Sequence, residues 1–142
     1  MPDYSPKDTL IQAVQCFNAR DLDGYLQMFH PSVLHHGFSR HIGPGVSGLR
    51  GFYRQMAEGF PDGRIENEDV IVEGEKLAHR YTFYGTHRGG YLGFPPTMKV
   101  VMSAGQVIHH FREGKSIEVW ASGDVLGLLL QIGAPNPLAH GK

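Results

Sequence analysis

Two residues able to handle protons, His110 and Asp124, stand 14 positions apart in the stretch GQVIHHFREGKSIEVWASGDVLGLLLQIG, from Gly105 to Gly133. An aspartate can remove an acidic proton from carbon only if its basicity rises above that of a free carboxylate, and burial in an apolar cavity raises it. An imidazole is neutral or charged near pH 7 and can hold an enolate or return a proton. The stretch has the elements to bring them together. Val107 to Phe111 and Ser116 to Ala121 have strand length, and Arg112-Glu113-Gly114-Lys115 between them is a turn signal. Counting by two back from Asp124 puts Ser122, Trp120 and Glu118 on one face, unless Gly123 marks a bulge or the strand's end. An aspartate that opens a helix is also a common N-cap, so capping and catalysis both remain open for Asp124.

Nine histidines, with pairs at His35-His36 and His109-His110, raise the question of a metal. Adjacent residues on a strand point to opposite faces, so each pair sends at most one ring inward. No H-E-x-x-H or C-x-x-C spacing occurs, and no metal is expected. Gly105 can shift the register, which leaves His109 against His110 open, and His35 against His36 is open in the same way. His87 sits where a strand meets a loop and can either cap that turn or touch a ligand. Tyr81 and Tyr84 lie on opposite faces, so one of them can line a cavity.

The chain has 142 residues, 41% hydrophobic and 19% charged, which suits one domain with one core. A net charge of −1 gives no electrostatic case for nucleic acid or an anionic membrane. No apolar run approaches the roughly 20 residues that cross a bilayer. The single Cys16 fits a reducing compartment, and MPDYSPKDTL lacks the apolar segment of a secretory signal; the cytosol is the expected location.

Ser5-Pro6-Lys7-Asp8 opens a helix with an apolar stripe at Leu10, Ala13, Val14 and Phe17. A short second helix around Tyr25 to Phe29 closes at His30-Pro31, and Ser32 to His36 is a brief strand. Ser47 is the candidate cap of a third helix carrying Leu49, Phe52, Tyr53, Met56 and Phe60. Strands follow over Ile65 to Val72 and Lys76 to Thr86, and over Thr97 to Phe111 with a kink at Gly105. Arg88 to Pro96 is a loop whose Tyr91, Leu92 and Phe94 can cover a pocket mouth. Val125 to Ile132 is a final apolar helix, and residues 134–142 are expected to be a loose tail. Helices first and antiparallel strands afterwards make the fold α+β.

Four pieces in order, Gly85-Thr86-His87, Phe94-Pro95-Pro96-Thr97, Gly114-Lys115-Ser116-Ile117-Glu118-Val119-Trp120 and Asp124-Val125-Leu126-Gly127-Leu128-Leu129-Leu130-Gln131-Ile132-Gly133, resemble the SnoaL-like polyketide cyclase family. Met98 departs from the glycine usual after the threonine. The resemblance implies an NTF2-like cone, a strongly curved sheet wrapped on the N-terminal helices, over residues 1–142. It implies no cofactor, a hydrophobic small-molecule ligand, and intramolecular aldol condensation. It implies Asp124 as acid/base, His110 as its partner in the pocket and His36 as a cavity histidine. Trp120, Ile108, His87 and Phe94 are the expected substrate-binding wall. A second copy, in a dimer or tetramer, is expected to cover the outer face of the sheet. The same cone also serves isomerases, hydrolases and plain binding proteins.

Overall fold

The computed structural model describes residues 4–139. Helix α1 (Pro6–Asn18) begins as its sequence requires: Ser5 is extended, and its hydroxyl accepts from the Asp8 N–H at 3.3 Å. Its buried face is Leu10, Ala13, Val14 and Phe17. A second cap follows at once. Asp21 accepts from the Gly24 N–H and starts α2 (Leu22–Leu26), which is shorter than the sequence suggests. Strand β1 (Phe29–His36) takes up the chain before His30-Pro31 instead of after it.

Helix α3 (Gly45–Gly59) starts behind Pro44, without a side-chain cap, so Ser47 lies inside the helix. Gly45 has φ +69°, and a side chain there would meet the Pro31 carbonyl. The remaining strands are β2 (Arg64–Glu73), β3 (Lys76–Thr86), β4 (Val100–Arg112) and β5 (Lys115–Gly123), and α4 (Val125–Gln131) closes the ordered elements.

The sheet order is β1-β5-β4-β3-β2. Strands β2 to β5 pair antiparallel, as expected; β1 joins the edge parallel to β5, which the run of antiparallel strands did not anticipate. Helices α1 and α3 pack on one side of this curved, open NTF2-like sheet, against β2, β3 and β1, and α4 packs against β4. Period-two alternation then sorts every side chain. On β3 the inward set is Leu77, His79, Tyr81, Phe83; on β4 it is Val101, Ser103, Gly105, Val107, His109, Phe111. Leu10, Leu49, Leu77 and Phe111 are at most 1% exposed and form the floor on which the rest is built. No helix among the described residues is long and apolar enough to cross a membrane.

Candidate active site

Between the helices and the inward face lies a cavity of about 430 Å³. Its closed end is walled by Val14, Phe17, Phe29, His109 and Val119, all buried. Its rim is exposed and made of Ser39, His41, Gln55, Leu92, Asp124 and Val125. The lining is overwhelmingly apolar, and the polar groups fall into two sets.

The deep set is a pair of imidazoles. His79 and His109 are diagonal neighbours on β3 and β4, since His79 faces Val107 and Leu77 faces His109. His79 is 4% and His109 2% exposed. His79 donates from Nε2 to Asn67 Oδ1 at 2.7 Å. His109 Nδ1 lies 2.8 Å from Ser116 Oγ, whose hydroxyl donates onward to the Glu118 carbonyl at 3.4 Å. That chain puts the His109 proton on Nδ1 and leaves the Nε2 lone pair as an acceptor. Burial pushes the His79 value down to about 4. Burial, reinforced by the neighbouring His79, pushes His109 down to about 3. Both rings are therefore neutral polar anchors at physiological pH.

Three tyrosines carry the polar surface toward the rim. Tyr25 and Tyr53 pack edge to face at 4.9 Å. Desolvation raises both phenols far above their ordinary range, as it raises Tyr81. All three stay protonated. On the rim Asp124 accepts from the Gly127 N–H at 2.8 Å, capping α4, while its backbone N–H donates to the Ala104 carbonyl at 3.2 Å. Cap and cavity contact coexist in one side chain.

The expected wall is only partly in this place. The cavity imidazole is His109; His110 turns to the opposite face, where its Nε2 lies 3.4 Å from Glu75. His36 also points outward, stacked on Trp120 at 5.4 Å and 2.8 Å from Glu118. Its neighbour His35 turns toward the loop after β1, bonding the Gly43 carbonyl at 2.8 Å and meeting Phe38. Ile108 is 46% exposed and pairs with Trp120 across the ladder, so both belong to the convex face and not to the cavity wall. One register parity accounts for all these displacements: Ile108 and His110 share a face, and so do Val107 and His109.

His87 is fully buried, tilted against Phe60 at 5.5 Å. The Thr97 N–H donates to its Nδ1 at 3.2 Å, and its backbone bonds Lys99 and Met98. It ties both ends of the 88–97 loop together and is not part of the cavity wall. Phe94 bridges Tyr91 within that loop; Tyr91 and Leu92 are the members that reach the cavity. Asp124 alone of the expected site residues lines it. Sequence reasoning passed over His79, Tyr25, Tyr53 and His41. His79 was readable, because it interrupts the inward apolar series Leu77, Tyr81, Phe83. Among the described residues no three His, Cys, Asp or Glu side chains converge as a metal site would require.

The sequence profile of SnoaL-like polyketide cyclases matches residues 7–132. The chain belongs to the SnoaL-like polyketide cyclase family. It is 29% identical, over 133 residues, to the nogalonic acid methyl ester cyclase of Streptomyces nogalater, covering 90% of this chain and 95% of that one. Among solved structures it is similar to AclR of Streptomyces galilaeus, with a TM-score of 0.82, 25% identity and coverage of 92% and 97% of the two chains. TsrD of Streptomyces laurentii gives a TM-score of 0.82 at 27% identity, with 94% and 98% covered. IdmH of Streptomyces antibioticus gives 0.77 at 26% identity, with 92% and 100% covered. These proteins match nearly end to end, so the comparison covers the elements that carry Asp124, Tyr81 and His109.

Proposed function

We propose that the protein catalyses a cofactor-free intramolecular aldol cyclisation of a hydrophobic, carbonyl-bearing compound, with Asp124 as the base. The observation that carries this reading is a carboxylate on the rim of an apolar cavity large enough for a polycyclic ligand. Asp124 is exposed in the free protein, so the removal of water that its basicity requires must come from the apolar ligand seated on the rim. Asp124 takes the proton from a carbon flanked by carbonyls, and the C–H electron pair becomes the enolate. The enolate carbon then bonds to a second carbonyl carbon of the same molecule. The alkoxide so formed takes back the proton from the Asp124 carboxyl, and base and charge are restored. No oxidant, reductant or metal enters the balance. The relative from Streptomyces nogalater, a cyclase of nogalonic acid methyl ester, supports this reaction class and supplies the first substrate to try.

A second reading, ligand binding without catalysis, draws on the exposure of Asp124 and its use as a helix cap. Asp124→Asn separates the two. Asparagine keeps the capping oxygen and loses the base. On the cyclase reading, turnover of nogalonic acid methyl ester falls by about 10²–10⁴ while the ligand still binds. Full turnover by the variant defeats the assignment of Asp124.

A second copy is proposed to cover the convex face. A single ladder row crosses the whole sheet there: His36, Trp120, Ile108, Ala78, Ile71. The row beside it holds Leu34, Glu118, His110, Lys76 and Glu73, and beyond the apolar row lie Arg80 and Asp69. An apolar stripe flanked by charges of both signs is complementary to its own copy turned about a two-fold axis.

A further inference from the structure

We infer that the Tyr81 hydroxyl is the hydrogen-bond donor to the oxyanion formed when a ligand carbonyl is enolised at Asp124; this rests on the cyclase reading above. The placement comes from one ladder row. Tyr81 on β3 faces Gly105 on β4, and Gly105 faces Gly123 on β5, the residue before Asp124. Neither β4 nor β5 carries a side chain at this row. The phenol lies across the gap: a Cβ on Gly105 would stand 2.3 Å from the Tyr81 oxygen, and one on Gly123 would stand 3.8 Å from it. The hydroxyl thus ends one residue from the proposed base, inside the cavity that both residues line. No hydrogen bond engages the Tyr81 hydroxyl among the described residues, and desolvation is what raises its phenol.

The chemistry asks for such a group. As Asp124 removes the proton, the carbonyl oxygen of the ligand gains the charge of the enolate. A fixed donor stabilises that charge without reorganising once the seated ligand has displaced water from the rim. Tyr81 donates a hydrogen bond and keeps its proton, and the proton that moves remains the one on Asp124. The paired glycines explain how a β3 side chain reaches the end of β5. From sequence Gly105 reads only as a kink and Gly123 only as a bulge or strand end.

Two measurements test this. With nogalonic acid methyl ester, Tyr81→Phe is expected to lower kcat by about 10²–10³ with KM within a few-fold, the size of losing one oxyanion donor. A loss confined to KM, or no loss, overturns the assignment. The second readout needs no turnover. Asp124→Asn is titrated with p-nitrophenol, followed by the absorbance of the bound phenolate. Adding Tyr81→Phe is expected to weaken phenolate binding tenfold or more, while adding Tyr84→Phe, on the opposite face of β3 and outside the cavity, leaves it within threefold. Equal phenolate binding with and without Tyr81, or no phenolate binding to Asp124→Asn, overturns the donor role. If Asp124→Asn keeps full turnover but the phenolate still depends on Tyr81, the base assignment fails and the donor stands.

Discussion

His109 and Asp124 line one cavity and do not touch. His109 faces Val119 across the β4–β5 ladder, and Asp124 follows five residues later on the same chain. At about 3.3 Å per residue, that is roughly 16 Å of strand. A direct carboxylate–imidazole pair, the arrangement expected for residues 110 and 124, is therefore not built here. The carboxylate stands where the cavity opens, and the neutral imidazoles stand where it ends. On the proposed reading, a ligand that fills the cavity would meet the Asp124 carboxylate at one end and hydrogen-bonding nitrogens at the other, with the far end setting orientation and the rim supplying the base.

The cap made by Asp124 and the base role proposed for it can be separated by different substitutions. Asparagine at 124 keeps an oxygen for the Gly127 N–H, now at 2.8 Å, so unfolding free energy is expected to stay within about 0.5 kcal/mol of wild type. Alanine removes cap and base together and should cost about 1 kcal/mol of stability beyond the asparagine variant. Both should lose cyclisation alike. Urea unfolding alongside turnover checks this; an alanine variant as stable as asparagine would show that the cap contributes nothing.

The two adjacent histidines should respond in opposite ways. His110→Gln changes a ring on the convex face beside Glu75, and both turnover and ligand affinity are expected to stay within twofold. His109→Leu removes the partner of a fully buried Ser116 hydroxyl and is expected to cost about 1–3 kcal/mol. It also removes the acceptor at the closed end, so a ligand with a hydroxyl there should bind more weakly while an all-carbon aromatic does not. Calorimetric titration with such a matched pair of ligands decides it. Equal losses for the two ligands would mean that His109 only packs.

How far the sequence could be read depends on what each signal encodes. Ser5-Pro6 fixed the start of α1 because capping chemistry is local, and Glu73-Gly74-Glu75 separated β2 from β3 because Gly74 takes φ +60°. The α+β class was legible from the order and type of the elements, whereas the cone was implied only by the resemblance to the family. Which face of β4 turns inward was not. Val100, Met102 and Ile108 on one parity are as apolar as Val101, Val107 and Phe111 on the other. A sheet that is apolar on both faces gives alternation nothing to break the tie. A cavity was implied by the resemblance, but its actual walls were hidden, because Phe17 and Val119 are the residue types of any core. The expected loose tail lies partly outside the described residues.

The apolar convex row gives a prediction about assembly. Ile108 is 46% and Ile71 65% exposed on this chain, so both would be covered by the proposed second copy. Ile108→Lys places an unpaired charge in the centre of that contact. Sedimentation equilibrium is expected to show a dimer or tetramer for the wild type and a shift toward monomer for the variant, with circular dichroism unchanged. A wild type that is monomeric at every concentration would remove the proposed interface.

Acid should weaken the fold through the two cavity histidines. Both have folded values below the ordinary 6.5: about 4 for His79 and about 3 for His109. As pH falls through 6.5 the unfolded chain takes up these protons and the folded chain does not. Above 6.5 the titration of neither ring affects stability. Below it each subtracts about 1.4 kcal/mol per pH unit, until about pH 4 for His79 and about pH 3 for His109. Moving from pH 7.5 to 5.5 should thus cost about 3 kcal/mol from the pair. His109→Gln keeps a polar side chain beside Ser116 and cannot titrate, so its loss over the same interval should be about half. Urea midpoints at the two pH values, for both proteins, measure this directly. If the wild type and the variant lose stability equally, His109 is not held neutral by its burial, and the closed end of the cavity is wetter than its lining implies.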